Sequence, residues 1–212
     1  MKEPIELINS HMPISMRSHF VPALINSVSW VNDTVSREKY LKEHGNVARA
    51  AVGYLRNVAA QVALKSVMQY HFPGIDCREM SNRNHSYYYY EFTSSDFTFT
   101  ISQVVRNTSM PQDALYRQLL MTRAQPTLFN FDDYVDESHY FLLTFNVENN
   151  GLVSARLGIP AEYNGKVKWK NNKCINLIKE PHLTPAELPA AVIDEPRVEF
   201  LNAMSEVLKD EK

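Results

Sequence analysis

The stretch His85–Val104, HSYYYYEFTSSDFTFTISQV, decides the architecture. Side chains alternate in character from His85 to Phe92 and again from Phe97 to Val104, with turn-forming Thr93-Ser94-Ser95-Asp96 between them. The pattern predicts a β-hairpin. Pairing Phe92 with Phe97 would set Tyr90 opposite Phe99 and Tyr88 opposite Ile101, an aromatic and apolar face suited to a core. The other face then carries His85, Tyr87, Tyr89 and Glu91 opposite Val104, Ser102, Thr100 and Thr98, and is rich in hydroxyl groups.

A second hairpin follows downstream. His139–Glu148 and Leu152–Ile159 flank Asn149-Asn150-Gly151, which predicts a three-residue loop with Gly151 left-handed. Val147 then meets Val153, Phe145 meets Ala155, Leu143 meets Leu157 and Phe141 meets Ile159. Lys166–Lys170 and Cys174–Ile178 add short strands. Upstream, Val47–His71 is a helix. Val52, Leu55, Val58, Ala59, Val62 and Val67 recur at helical spacing, many alanines permit close packing, and Pro73-Gly74 ends it. The expected fold class is therefore α+β, with an antiparallel sheet of two hairpins packed against the Ala-rich helix.

Residues from about Ile14 to His44 read as two short helices, broken at Asn32-Asp33-Thr34. Ser109 and Pro111 mark the start of a helix running to about Arg123. An acidic loop through Asp132, Asp133, Asp136 and Glu137 follows. These elements make residues 1–180 a single domain. Residues 181–196, with four prolines, read as a stiff tether, and 197–212 as a short amphipathic helix dispensable for the core.

Composition narrows the function classes. The net charge of −2, from 22 basic and 24 acidic side chains, argues against nucleic-acid binding by bulk charge but leaves room for a local patch. Two distant cysteines, Cys77 and Cys174, suit reduced thiols in a cytoplasmic protein. The opening residues, Met1 to His19, lack the apolar run of a secretory signal, and nowhere do about 18 apolar residues run together as a membrane span needs. No phosphate-loop or dinucleotide glycine motif occurs, no GxSxG, and no paired His or Cys spacing for zinc; neither a metal nor a cofactor is expected. Asp76, Glu79, Glu91 and Asp96 lie near the first hairpin, but none precedes a lysine by two residues as many metal-dependent nucleases require.

The residues that could carry chemistry gather at the first strand. Arg83 and His85 enter it, Tyr87 shares its hydroxyl-rich face, and the expected register sets Ser102 opposite Tyr87. Arginine can hold a phosphate through two parallel hydrogen bonds, and histidine as a residue type exchanges protons near neutral pH. His85, Arg83, Tyr87 and Ser102 are thus the candidate catalytic set, for phosphodiester or nucleotidyl chemistry without a metal. Arg49 and Arg56, seven apart on the long helix, are candidate anion-binding residues.

The order of motifs is distinctive. An Ala-rich helix precedes Arg83-Asn84-His85, then come Phe99-Thr100-Ile101-Ser102, Tyr116-Arg117, Leu128-Phe129, and His139-Tyr140 before the second hairpin. Over about residues 46–178 this resembles a poorly characterised prokaryotic family encoded beside helix-turn-helix or IrrE-type genes. That family is similar to the toxin halves of toxin–antitoxin systems of the Rosmer type, linked to phage defence. The resemblance implies a setting, a small cytosolic prokaryotic effector held by a cognate antitoxin or regulator, and not a reaction; the expected source of toxicity is an activity on RNA or nucleotides, or binding to a host target. It carries over no catalytic residue. Two alternatives stand beside it: a non-enzymatic interaction or inhibitor module of phage or mobile-element origin, and a degenerate metal-dependent nuclease.

Overall fold

The structure, a computed structural model, describes residues 3–39, 41, 45–82, 85, 87–123, 138–192, 194, 196–198, 200 and 202. Arg83, Leu128-Phe129 and the acidic loop lie outside these residues. The architecture is mixed α and β. A six-stranded, mostly antiparallel sheet runs in sequence order: β1 (Asp76–Ser81), β2 (Tyr88–Thr93), β3 (Phe97–Gln103), β4 (His139–Glu148), β5 (Gly151–Tyr163) and β6 (Lys166–Asn176). The helices are α1 (Pro4–His11), α2 (Ile14–Arg17), α3 (Phe20–Arg37), α4 (Gly45–His71) and α5 (Leu115–Arg123). Among the described residues no helix is long and apolar enough to cross a membrane.

The sheet has two unlike faces because its strands alternate. Phe92, Phe99, Ile101, Phe141, Leu143, Phe145, Ala155 and Leu157 point to one side, where side chains of α1, α3 and α4 close the main core. On the other side lie Thr100, Ser102, Thr144, Asn146 and Ser154, buried although polar. Helix α5 packs there through Leu120 and Met121 against Tyr140.

Several expectations from sequence are corrected. The sheet is not antiparallel throughout. β3 and β4 run parallel, from Phe97 beside His139 to Gln103 beside Phe145. Residues 104–138 separate them, long enough for the crossover that parallel neighbours require. In the first pair Phe92 meets Phe99 and Thr93 meets Thr98, two places from the expected register. The cause is the Ser94 hydroxyl, which accepts the Asp96 and Phe97 amides at 3.2 Å each and moves the turn to residues 94–97. In the second pair Leu143–Leu157 and Phe145–Ala155 face each other, but a bulge after Asn146 sets Val147 opposite Leu152. Asn149 and Asn150 take the left-handed conformation, at φ 48° and 63°, so the turn has two residues and Gly151 belongs to β5.

The helices differ as well. α3 runs unbroken through Asn32-Asp33-Thr34. Thr34 Oγ1 donates to the Trp30 carbonyl at 3.0 Å, so this hydroxyl is satisfied inside the helix instead of capping a new one. α5 begins at Leu115, not Ser109; ahead of it the Gln112 carbonyl accepts from the Arg117 guanidinium. β6 is one strand, with left-handed Asn171 and Asn172 bulging where two strands were expected. In the proline-rich segment Pro185–Glu187 forms a short 3-10 turn, and Leu188, Val192 and Phe200 are buried. Val192 and Phe200 join the main core, so the tail is not packed as a free appendage.

Candidate functional site

The ladder between β2 and β3 is short, and α4 exploits the gap. Past Phe92–Phe99, the Tyr90 amide donates to Gln61 Oε1 at 2.7 Å, and the Gln103 amide donates to Asn57 Oδ1 at 3.1 Å. Asn57 Nδ2 also donates to Tyr87 Oη at 2.6 Å. Both amide side chains are buried on α4, four residues apart and hence on one side of it. They satisfy backbone groups that a splayed strand pair leaves without β partners. The splay opens a cleft of about 1780 Å³ between α4, the β1–β2 turn, the hydroxyl-rich face of β2 and β3, and the start of α5.

A tyrosine ladder lines it. Tyr87 stacks on Tyr89 with centroids 6.3 Å apart, and Tyr89 stacks on Tyr116 of α5 at 3.8 Å. Tyr54 meets Tyr87 edge-on at 6.5 Å and is exposed. Burial pushes the Tyr87 phenol up to about 12, and raises those of Tyr89, Tyr116 and Tyr140. At neutral pH these hydroxyls therefore stay protonated and serve as hydrogen-bonding and stacking groups, not as bases.

Arg117 supplies the positive charge. Its Nη1 donates to Ser102 Oγ at 3.1 Å and to Tyr116 Oη at 2.6 Å, and Nη2 donates to the Gln112 carbonyl. Among the described residues nothing pairs with its Nε, and no carboxylate lies within ion-pair reach. Nor is that nitrogen among the buried unpartnered atoms. A planar guanidinium fixed through Nη1 and Nη2, with Nε left without a partner among the described residues, is suited to donate to an oxyanion. No protein-family model, curated protein or solved structure matches this chain.

The residues singled out from sequence are distributed unevenly. Tyr87 and Ser102 both line the cleft. His85 sits at its rim in a left-handed conformation, φ 52°, with Nδ1 2.8 Å from Ser81 Oγ; it is exposed and does not line the cleft. Neither Arg49 nor Arg56 lines it. Arg49 is exposed, whereas Arg56 donates to Asn150 Oδ1 at 3.0 Å and ties α4 to the β4–β5 turn. Burial lowers the Arg56 pKa.

The residues missed were Arg117, Tyr116 and Asn57 as working parts of one site. The available signal was the polar pair Asn57 and Gln61 inside the apolar stripe of a long helix. Among the described residues no three His, Cys, Asp or Glu side chains come together as a metal-ligand set. Burial pushes the Cys77 thiol up to about 11, away from nucleophilic use.

Proposed function

We propose that this protein is a toxin-like effector of a prokaryotic toxin–antitoxin or phage-defence system, acting in the cytoplasm and restrained by a cognate antitoxin or regulator. It works on RNA or nucleotides through the tyrosine-lined cleft, without a metal. The observation that carries this is Arg117: a half-buried guanidinium whose Nε has no partner among the described residues, set on hydroxyls beside aromatic rings. Phosphate suits the charge and a base suits the rings. The similarity of the motif order to the toxin-like family supports the cellular setting.

His85 at the rim is the group that exchanges protons with a bound strand, and Arg83 beside it in sequence contributes further positive charge. Binding and turnover are then separable. Expression from a tight promoter, with and without the neighbouring gene, tests the effector role: growth arrest relieved by the neighbour is expected. Arg117→Lys abolishes arrest by weakening binding, while His85→Ala abolishes it with binding intact. No arrest on expression of the folded wild type contradicts the proposal.

The second reading is a non-enzymatic interaction module. Exposed Tyr54, Val105, Leu115 and Leu119 border the cleft, which exceeds the usual small-molecule pocket of about 300–1,000 Å³. A protein segment lying in it would explain both features. The third reading is a degenerate metal-dependent nuclease; the described residues gather no ligand set, and Asp132, Asp133, Asp136 and Glu137 lie outside them.

A further inference from the structure

The cleft holds a second unfilled polar group. Glu91 lines it from β2, and its Oε1 accepts from Tyr89 Oη at 3.1 Å, while Oε2 has no partner among the described residues. Arg78, its cross-strand neighbour, turns instead to Asp76 at 2.5 Å. Glu91 accepts from the Tyr89 hydroxyl and Arg117 donates to the Tyr116 hydroxyl, so the two opposite charges each hold one ring of a stacked pair. Among the described residues they form no ion pair with each other, and both side chains line the cleft.

Resting on the reading of the cleft as a nucleotide site, we infer that its ligand is a guanine nucleotide unit, either free or within a single strand. The phosphate lies against the Arg117 guanidinium, the base stacks on exposed Tyr54, and Glu91 reads the base. A carboxylate can only accept hydrogen bonds. Guanine alone among the four bases presents two adjacent N–H donors, N1–H and the 2-amino group, on its pairing edge. Adenine, cytosine and uracil each set a lone pair beside the donor, which would face the carboxylate charge. A purine also covers a tyrosine ring more fully than a pyrimidine does. The hydroxyls around Arg117 fix its orientation, so the phosphate and the base are read at two separate points.

The test is equilibrium binding of GMP, AMP and short single-stranded RNAs with or without guanine to the full chain and to Glu91→Gln, Tyr54→Ala and Arg117→Lys. Glu91→Gln keeps an oxygen for Tyr89, and Tyr54 is exposed, so both variants retain the fold. The wild type prefers GMP over AMP by about tenfold or more, the scale of hydrogen bonds to a charged group. Glu91→Gln removes the preference, Tyr54→Ala weakens both ligands, and Arg117→Lys weakens both equally. Tighter binding of guanine-containing strands than of GMP identifies the strand as the source; equal binding identifies the free nucleotide. Equal affinity for GMP and AMP, with both weakened by Arg117→Lys, overturns guanine selection while the nucleotide site stands. No binding of any nucleotide or strand to the folded wild type overturns both and leaves the cleft to a protein segment.

Discussion

Arg117 on α5 donates to Ser102 on β3 at 3.1 Å, tying the covering helix to the hydroxyl-rich face of the sheet. The same guanidinium holds Tyr116 and Gln112. It thereby assembles one wall of the cleft while, among the described residues, nothing pairs with its Nε. The aromatic ladder, the splayed strands and the charge meet at this point.

The splay depends on α4. Asn57→Ala would leave the Gln103 amide and the Tyr87 hydroxyl without their partner, and Gln61→Ala the Tyr90 amide. Each substitution is expected to cost about 1–3 kcal/mol, the penalty for stranded polar groups. Chemical denaturation measures it. A change within error for both variants would mean that the splayed strands find other partners.

How much of this was legible in the sequence varies by element. Leu143–Leu157 and Phe145–Ala155 follow from alternation, because each strand has one face to bury. The two-residue turn was obscured by Gly151, the obvious left-handed candidate, when Asn149 and Asn150 take that conformation themselves. The parallel join of β3 to β4 has no local signature, since it depends on how residues 104–138 cross. The cleft was legible only in its floor: Tyr87 and Ser102 follow from strand periodicity. Arg117 arrives from a helix whose docking no periodicity specifies, and the register shift, together with the splay beyond Phe92–Phe99, moved Tyr87 from its expected place opposite Ser102.

Alkaline pH should destabilise the fold. The Tyr87 phenol, raised by burial from 10.0 to about 12, keeps its proton in the folded state after the unfolded chain has lost it. Unfolding then releases protons, so the stabilisation is complete below pH 10 and is lost as pH rises toward 12. Tyr89, Tyr116 and Tyr140 shift in the same direction. Denaturation followed across this window should show falling stability, less steeply in Tyr87→Phe. An unchanged slope in that variant would mean that Tyr87 ionises freely.

Described residues of the tail are buried against the core. Truncation after Pro181 removes buried Leu188, Val192 and Phe200 and the 2.6 Å ion pair of Arg197 with Asp33. Burial of three such side chains stabilises by several kcal/mol, so Tm should fall by about 10 °C. A melting curve matching that of the full chain would instead make the tail dispensable.

Whether the Arg117 guanidinium binds a phosphorylated ligand is tested by comparing binding of a short single-stranded RNA to the wild type and to Arg117→Lys. Lysine keeps the charge but loses the planar fork. Salt-sensitive binding by the wild type is expected, with affinity lower by about tenfold or more in the folded variant. Equal affinity in the two proteins, or no binding by the wild type, would contradict it.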